Sequence, residues 1–169
     1  AYHSSDVVIV TTGAGLSYGS LGFTHHCTED IGYVSAIPNI SIFSPASSVE
    51  FNLLFPFMMS LKTPVYLRLD KFSSNLSPLF ELSSPRDPFI YHQSSEANIL
   101  LLAHGSCLAI YEALLHNYPA VSGNISIATL PCLESSPSFL RLLSQYEHIV
   151  VCEEHQINSG FSSFVAREL

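Results

Sequence analysis

GAGLSYGSLGFTHHCTED, residues 13–30, sits directly behind the short apolar run Val7-Val8-Ile9-Val10. A continuous, β-branched run of this length reads as a buried strand over 7–11. Gly13, Gly15, Gly19 and Gly22 let the backbone bend where side chains would collide. The loop ends on Thr24, His25 and His26, with Glu29 and Asp30 close behind. Paired imidazoles and paired carboxylates on a loop behind a strand stand where an open α/β sheet places a ligand. The glycines alone do not form a GxGxxG fingerprint.

Working outward, helical spacing of Ile31, Val34 and Ile37 predicts a helix over 27–37, ended by Pro38-Asn39. A second strand follows over 40–43. Ser47 and Glu50 match a capping box, so a helix is expected over 49–60, with Pro56 kinking or shortening it. A third strand covers 65–69. Residues 73–96, rich in serine and holding Pro78, Pro85 and Pro88, read as an extended linker. Behind it, strands over 98–103, 125–130 and 148–152 alternate with helices over 107–115, 138–145 and 161–169. That order predicts two consecutive open, mainly parallel-sheet α/β units, over 1–72 and 97–169.

The 169 residues are 47% hydrophobic but only 12% charged. Such a surface suits cover by a partner. A net charge of −8 with six basic residues argues against nucleic acid. The apolar run 51–61 is short and holds Pro56, and 97–115 carries His104 and Glu112, so neither suits a membrane span. Cys27, Cys107, Cys132 and Cys152 include no CxxC pair and read as reduced, buried thiols of an intracellular, cytoplasmic protein. The chain opens without Met and without a signal-peptide pattern, as a processed product or a fragment does.

GLSYGSLGFTHHCTEDIGYVSAIPNISIFSPASSVE resembles the pyrimidine-binding domain of transketolases, and PVYLRLDK resembles the strand that follows it there. From Asn98 onward, Gly105-Ser106, the Leu130-Pro131 corner and Glu153-Glu154-His155 with Gly160 resemble the transketolase C-terminal domain, of the split or transketolase-like type. The resemblance implies thiamine diphosphate with magnesium and transfer of a two-carbon ketol unit between sugar or sugar-derived substrates. It assigns His25 to the reaction centre, as catalytic and substrate-binding residue, and Arg68 to a substrate phosphate. An imidazole suits proton handling near neutrality, and a guanidinium suits phosphate. Relatives carry a donor-binding histidine where Gly13 stands and an aspartate where Leu21 stands, and glycines in place of Ser159 and Ser162.

The family's activating glutamate and its GDG…N diphosphate motif have no counterpart here. The cofactor is therefore expected to be held mainly by residues outside this chain, on an N-terminal transketolase subunit or second protomer. The beta subunit of a 2-oxoacid dehydrogenase and a non-catalytic interaction module are the alternatives. His26, Glu29 and Asp30 would share one helix face at i, i+3, i+4, as metal ligands do. The two acids also suit a helix N-terminus, and no metal is assigned. Glu153, Glu154 and His155 read as a loop supporting a subunit interface.

Overall fold

A computed structural model describes residues 3, 5–71, 74–80 and 84–169. Strands β1 (Val8–Thr12), β2 (Ser41–Phe43) and β3 (Val65–Leu69) form a parallel sheet in the order β1-β3-β2. The central strand is β3, and its residues 65–68 are all buried. β1 lies at an edge, with Ile9 and Val10 about half exposed. Helix α1 (Asp30–Ser35) is shorter than the expected 27–37, because Cys27 is drawn into a two-residue antiparallel bridge with Gly15.

Helix α2 (Ser48–Ser60) links β2 to β3. Ser47 Oγ accepts the Glu50 N–H at 3.2 Å, the expected half of the capping box. The Glu50 carboxylate takes the Ala46 N–H at 2.6 Å, one residue upstream of the usual box partner. Pro56 does not end the helix. Pro56 and Asn52 are both exposed, so the carbonyl that the proline leaves unbonded can reach water.

The second sheet has the order β4-β6-β5-β7, from β4 (Phe89–His92), β5 (Ile99–Ala103), β6 (Ile125–Thr129) and β7 (His148–Cys152). β5, β6 and β7 are parallel, and β4 adds antiparallel to β6. The expected linker over 73–96 is corrected here. Its last third supplies a strand, with Phe89 and Tyr91 buried and Ile90 and His92 half-buried. Prolines and serines dominate the segment's composition, but the alternation of a half-covered edge strand decides its end.

The two sheets are not independent. Ser44 N–H donates to Pro131 O at 2.8 Å and Leu133 N–H to Ile42 O at 3.0 Å, around a bridge between Phe43 and Cys132. One apolar cluster runs through Phe43, Leu54 and Leu67 of the first unit and Phe89, Leu101 and Ile127 of the second. Helix α3 (Leu108–Asn117) packs into it through Leu108 and Tyr111. The opposite face of the second sheet, Leu100, Leu102 and Ala128, meets α4 (Pro137–Leu143) and α5 (Phe161–Glu168). Glu50, fully buried, sits where the units join and accepts from Tyr91 Oη at 2.6 Å and from Thr129 Oγ1. Burial pushes its carboxyl above the ordinary glutamate range, against the pull of Thr129, Tyr91 and the Ala46 N–H.

Among the described residues no helix is long and apolar enough to cross a membrane. The four cysteines are free thiols. Cys107 and Cys132 are buried as expected, whereas Cys27 and Cys152 are only half-buried.

Candidate functional site

The loop behind β1 closes at its neck. Gly15 and Cys27 exchange both backbone hydrogen bonds at 2.9 Å. Between them the chain folds into two short 3-10 turns, Gly19–Leu21 and Phe23–His25, hinged on Gly22 at φ 88°. His25 is exposed near the end of this loop, two residues before the neck, and its Nδ1 lies 3.1 Å from Thr24 Oγ1. Around it stand apolar side chains without internal cover: Phe23 is 84% exposed and Leu21 58%.

Below the neck, β3 presents Tyr66 and Arg68 on one face, two residues apart. Asp30, the first residue of α1, accepts from both through Oδ2, from Tyr66 Oη at 2.9 Å and Arg68 Nε at 2.8 Å. Arg68 Nη2 also donates to Cys27 O at 3.0 Å, at the neck itself. Arg68 is 3% exposed. The guanidinium expected at a substrate phosphate is here engaged inside the fold, where it ties β3 to the loop. Burial, reinforced by the Asp30 carboxylate, pushes the Cys27 thiol up to about 11.

The metal reading of His26, Glu29 and Asp30 also fails on geometry. α1 begins only at Asp30, so His26 is not on the helix, and Asp30 is held by Arg68. Among the described residues no group of three or more His, Cys, Asp or Glu side chains gathers as a metal site.

Behind β7, each residue of Glu153-Glu154-His155-Gln156 has a separate partner. Glu153 caps α5, accepting from Phe161 N–H at 2.5 Å and Ser162 N–H at 3.0 Å. Glu154 Oε2 accepts the Leu16 N–H at 2.8 Å. His155 Nε2 accepts the Ile31 N–H at 3.1 Å, which puts the ring proton on Nδ1, facing Gln156 O at 3.2 Å. Asp30 Oδ1, 3.6 Å from that same Nε2, is left without a hydrogen bond. Gln156 N–H donates to Thr28 O at 2.8 Å. The loop expected at a subunit interface thus makes these contacts within the chain. The signal in the sequence was four polar residues directly behind a strand, but nothing there named their partners.

Two further groups lie near the sheet ends. His104 is buried, stacks on Phe161 at 4.7 Å between ring centroids, and has no hydrogen bond at either ring nitrogen. Burial, with the Arg68 charge, holds it well below the ordinary histidine range, so it is a neutral core imidazole. Asp70 accepts the Ser106 N–H at 2.6 Å, and burial raises its carboxyl.

Residues 1–75 match the transketolase pyrimidine-binding domain family. The likeness to transketolase-type proteins runs beyond that segment, over nearly the whole chain. It is 28% identical over 175 residues to a subunit of the apulose-4-phosphate transketolase of Actinobacillus succinogenes, across 98% of this chain and 53% of that protein. It is 30% identical over 167 residues to the 1-deoxy-D-xylulose-5-phosphate synthase of Chlamydia muridarum, across 93% of this chain and 25% of that one. Its fold matches a solved split-gene transketolase, an inactive beta4 tetramer, with a TM-score of 0.76 at 22% identity, over 96% of this chain and 53% of the other. The chain thus spans about half the length of the subunit-type relative it matches.

Against the transketolase-like pattern, Gly13 has a structural reason to be glycine. Its φ is 84°, and a Cβ there would lie 2.4 Å from the Tyr18 ring. Tyr18 occupies the space a side chain at 13 would need, with Lys71 Nζ 5.5 Å from its ring centroid. Leu21 is exposed and apolar where the resemblance expects an acid.

Proposed function

We infer that this chain is one component of a thiamine-diphosphate-dependent, transketolase-like transferase that moves a two-carbon ketol unit between sugar or sugar-derived substrates. The observation that carries this reading is the exposed imidazole of His25 on a loop locked at its neck and rimmed by uncovered apolar side chains. The described residues do not fit the whole cofactor. Arg68, the guanidinium tied to the loop, is committed to Asp30, and Lys71 lies over Tyr18, so no cradle for a diphosphate is built around the loop. The diphosphate and its magnesium are assigned to a partner, an N-terminal transketolase subunit or second protomer. That partner would also cover Phe23, Leu21 and the open edge of β1. The cofactor, when bound, supplies the electron sink for breaking and making the carbon–carbon bond.

This chain's part is narrower. His25 donates a hydrogen bond to, or moves a proton at, the substrate oxygen next to the reacting carbon. Tyr18, filling the position over Gly13, shapes the donor pocket differently from that of ordinary transketolases. We place the protein in the cytoplasm, where its four thiols stay reduced.

The test is cofactor binding by calorimetry, to the chain alone and mixed with an N-terminal transketolase-type subunit carrying GDG…N. The account expects binding and ketol transfer only in the mixture. A mixture that binds nothing makes the chain an interaction module. Decarboxylation of a 2-oxoacid with lipoyl transfer makes it a dehydrogenase component.

A further inference from the structure

The 16–26 loop is not held by its own sheet alone. Three consecutive residues behind β7, in the second sheet, grip it on both sides of the neck. On the incoming side Glu154 takes the Leu16 N–H at 2.8 Å. On the outgoing side Gln156 N–H reaches Thr28 O at 2.8 Å, and His155 takes the Ile31 N–H at 3.1 Å. Arg68 Nη2 closes the set, lying 3.0 Å from Cys27 O and 3.5 Å from Glu154 O. The close approach depends on a bare backbone. Gly15 has φ 59°, and a Cβ on it would lie 2.4 Å from Glu154 Oε2. A Cβ on Gly32 would likewise meet Ser159 Oγ at 2.4 Å.

The geometry points to a positioning role for the 153–160 loop: Glu154, His155 and Gln156 clamp both ends of the His25 loop and fix where its imidazole stands. The proposal rests on His25 being the working group, and it deepens that reading by giving the second unit a part in the site. None of the three residues touches His25 or any reacting atom; they act through the backbone. Glu154 and Gln156 hold main-chain groups beside the two loop ends, and His155 holds the first turn of α1 just behind it, so the intervening segment is restrained from both sides. An exposed 3-10 loop with little apolar cover of its own would otherwise sample many orientations.

The experiment uses hydrogen–deuterium exchange of the full chain, read on peptides covering 16–26 and 99–103. Glu154→Ala deletes the acceptor for Leu16, whereas Glu154→Gln keeps an oxygen in the same place. Glu154→Met, of similar length and unable to accept, takes the place of the alanine variant if that one does not fold. The clamp predicts about 10- to 100-fold faster exchange over 16–26 in the acceptor-less variant, the loss expected for one hydrogen bond to a charged group. It predicts unchanged exchange over β5 and near wild-type behaviour in Glu154→Gln. In the assembled enzyme, kcat should fall in Glu154→Ala with little change in KM, and Glu154→Gln should restore it. Wild-type exchange over 16–26 in the acceptor-less variant overturns the clamp, as does equal loosening of β5. The exchange result stands whether or not ketol transfer is observed, so failure of the enzymatic reading and failure of the clamp are separate outcomes.

Discussion

Removing either partner of the Asp30–Arg68 pair should destabilise the chain severely, and removing both should cost little more than removing one. The pair is buried, with side chains 10% and 3% exposed and Nε 2.8 Å from Oδ2. At an effective dielectric near 20, two charges about 4 Å apart attract by about 4 kcal/mol. Leaving one member of a buried pair alone costs about 3–5 kcal/mol. Asp30→Asn keeps an acceptor for Tyr66 Oη and Arg68 Nε, so it falls at the lower end, about 3 kcal/mol. Arg68→Met removes the donors to Cys27 O and Glu154 O as well, and falls at about 4 kcal/mol. The double variant leaves no unpaired charge, so its loss should match the larger single one, a coupling of about 3 kcal/mol. Urea unfolding followed by circular dichroism reads all four corners of the cycle. Losses that add to within about 0.5 kcal/mol would refute the reasoning, since additivity means that the two groups do not sense each other.

Two further outcomes concern titration. Cys107 and Cys152 pack in one cluster, and the neighbouring Cys107 thiol holds Cys152 below the ordinary cysteine range, at about 7, so Cys152 should be alkylated with a midpoint near neutrality while Cys27 resists until about pH 11. In Cys107→Ala that midpoint should move up toward 9; peptide mapping after iodoacetamide treatment checks it, and an unmoved midpoint counts against the pairing. Glu50 has its folded value raised by burial. The stability it contributes is therefore present in full below the ordinary glutamate range and is lost as pH rises through the folded value. The urea midpoint of the wild type relative to Glu50→Gln should be most favourable near pH 4 and shrink toward pH 8, and a difference constant across that range would contradict the assignment.

The parallel strands were legible because each is a short apolar run followed by a turn signal, as Val65 to Leu69 and Ile99 to Ala103 show. The capping of α2 was legible because Ser47 and Glu50 act three residues apart. β4 was hidden, because the prolines and serines around it describe its surroundings and not its pairing with β6. The length of α1 was misjudged because periodicity cannot see the bridge that takes Cys27 back to Gly15. At the site, the exposed histidine was visible as a residue type on a glycine-bent loop. Arg68 was not, because the carboxylate that claims it lies 38 residues away in sequence. The grip of Glu154 on Leu16 spans 138 residues, and no local pattern carries such a contact.

The measurement that bears most directly on the account is the turnover of His25→Ala in the chain assembled with its cofactor-holding partner. Loss of a positioned proton donor should lower kcat for ketol transfer by about 10²- to 10⁴-fold, with the assembly and cofactor affinity intact. Wild-type turnover from His25→Ala would remove the imidazole from the reaction and contradict the account.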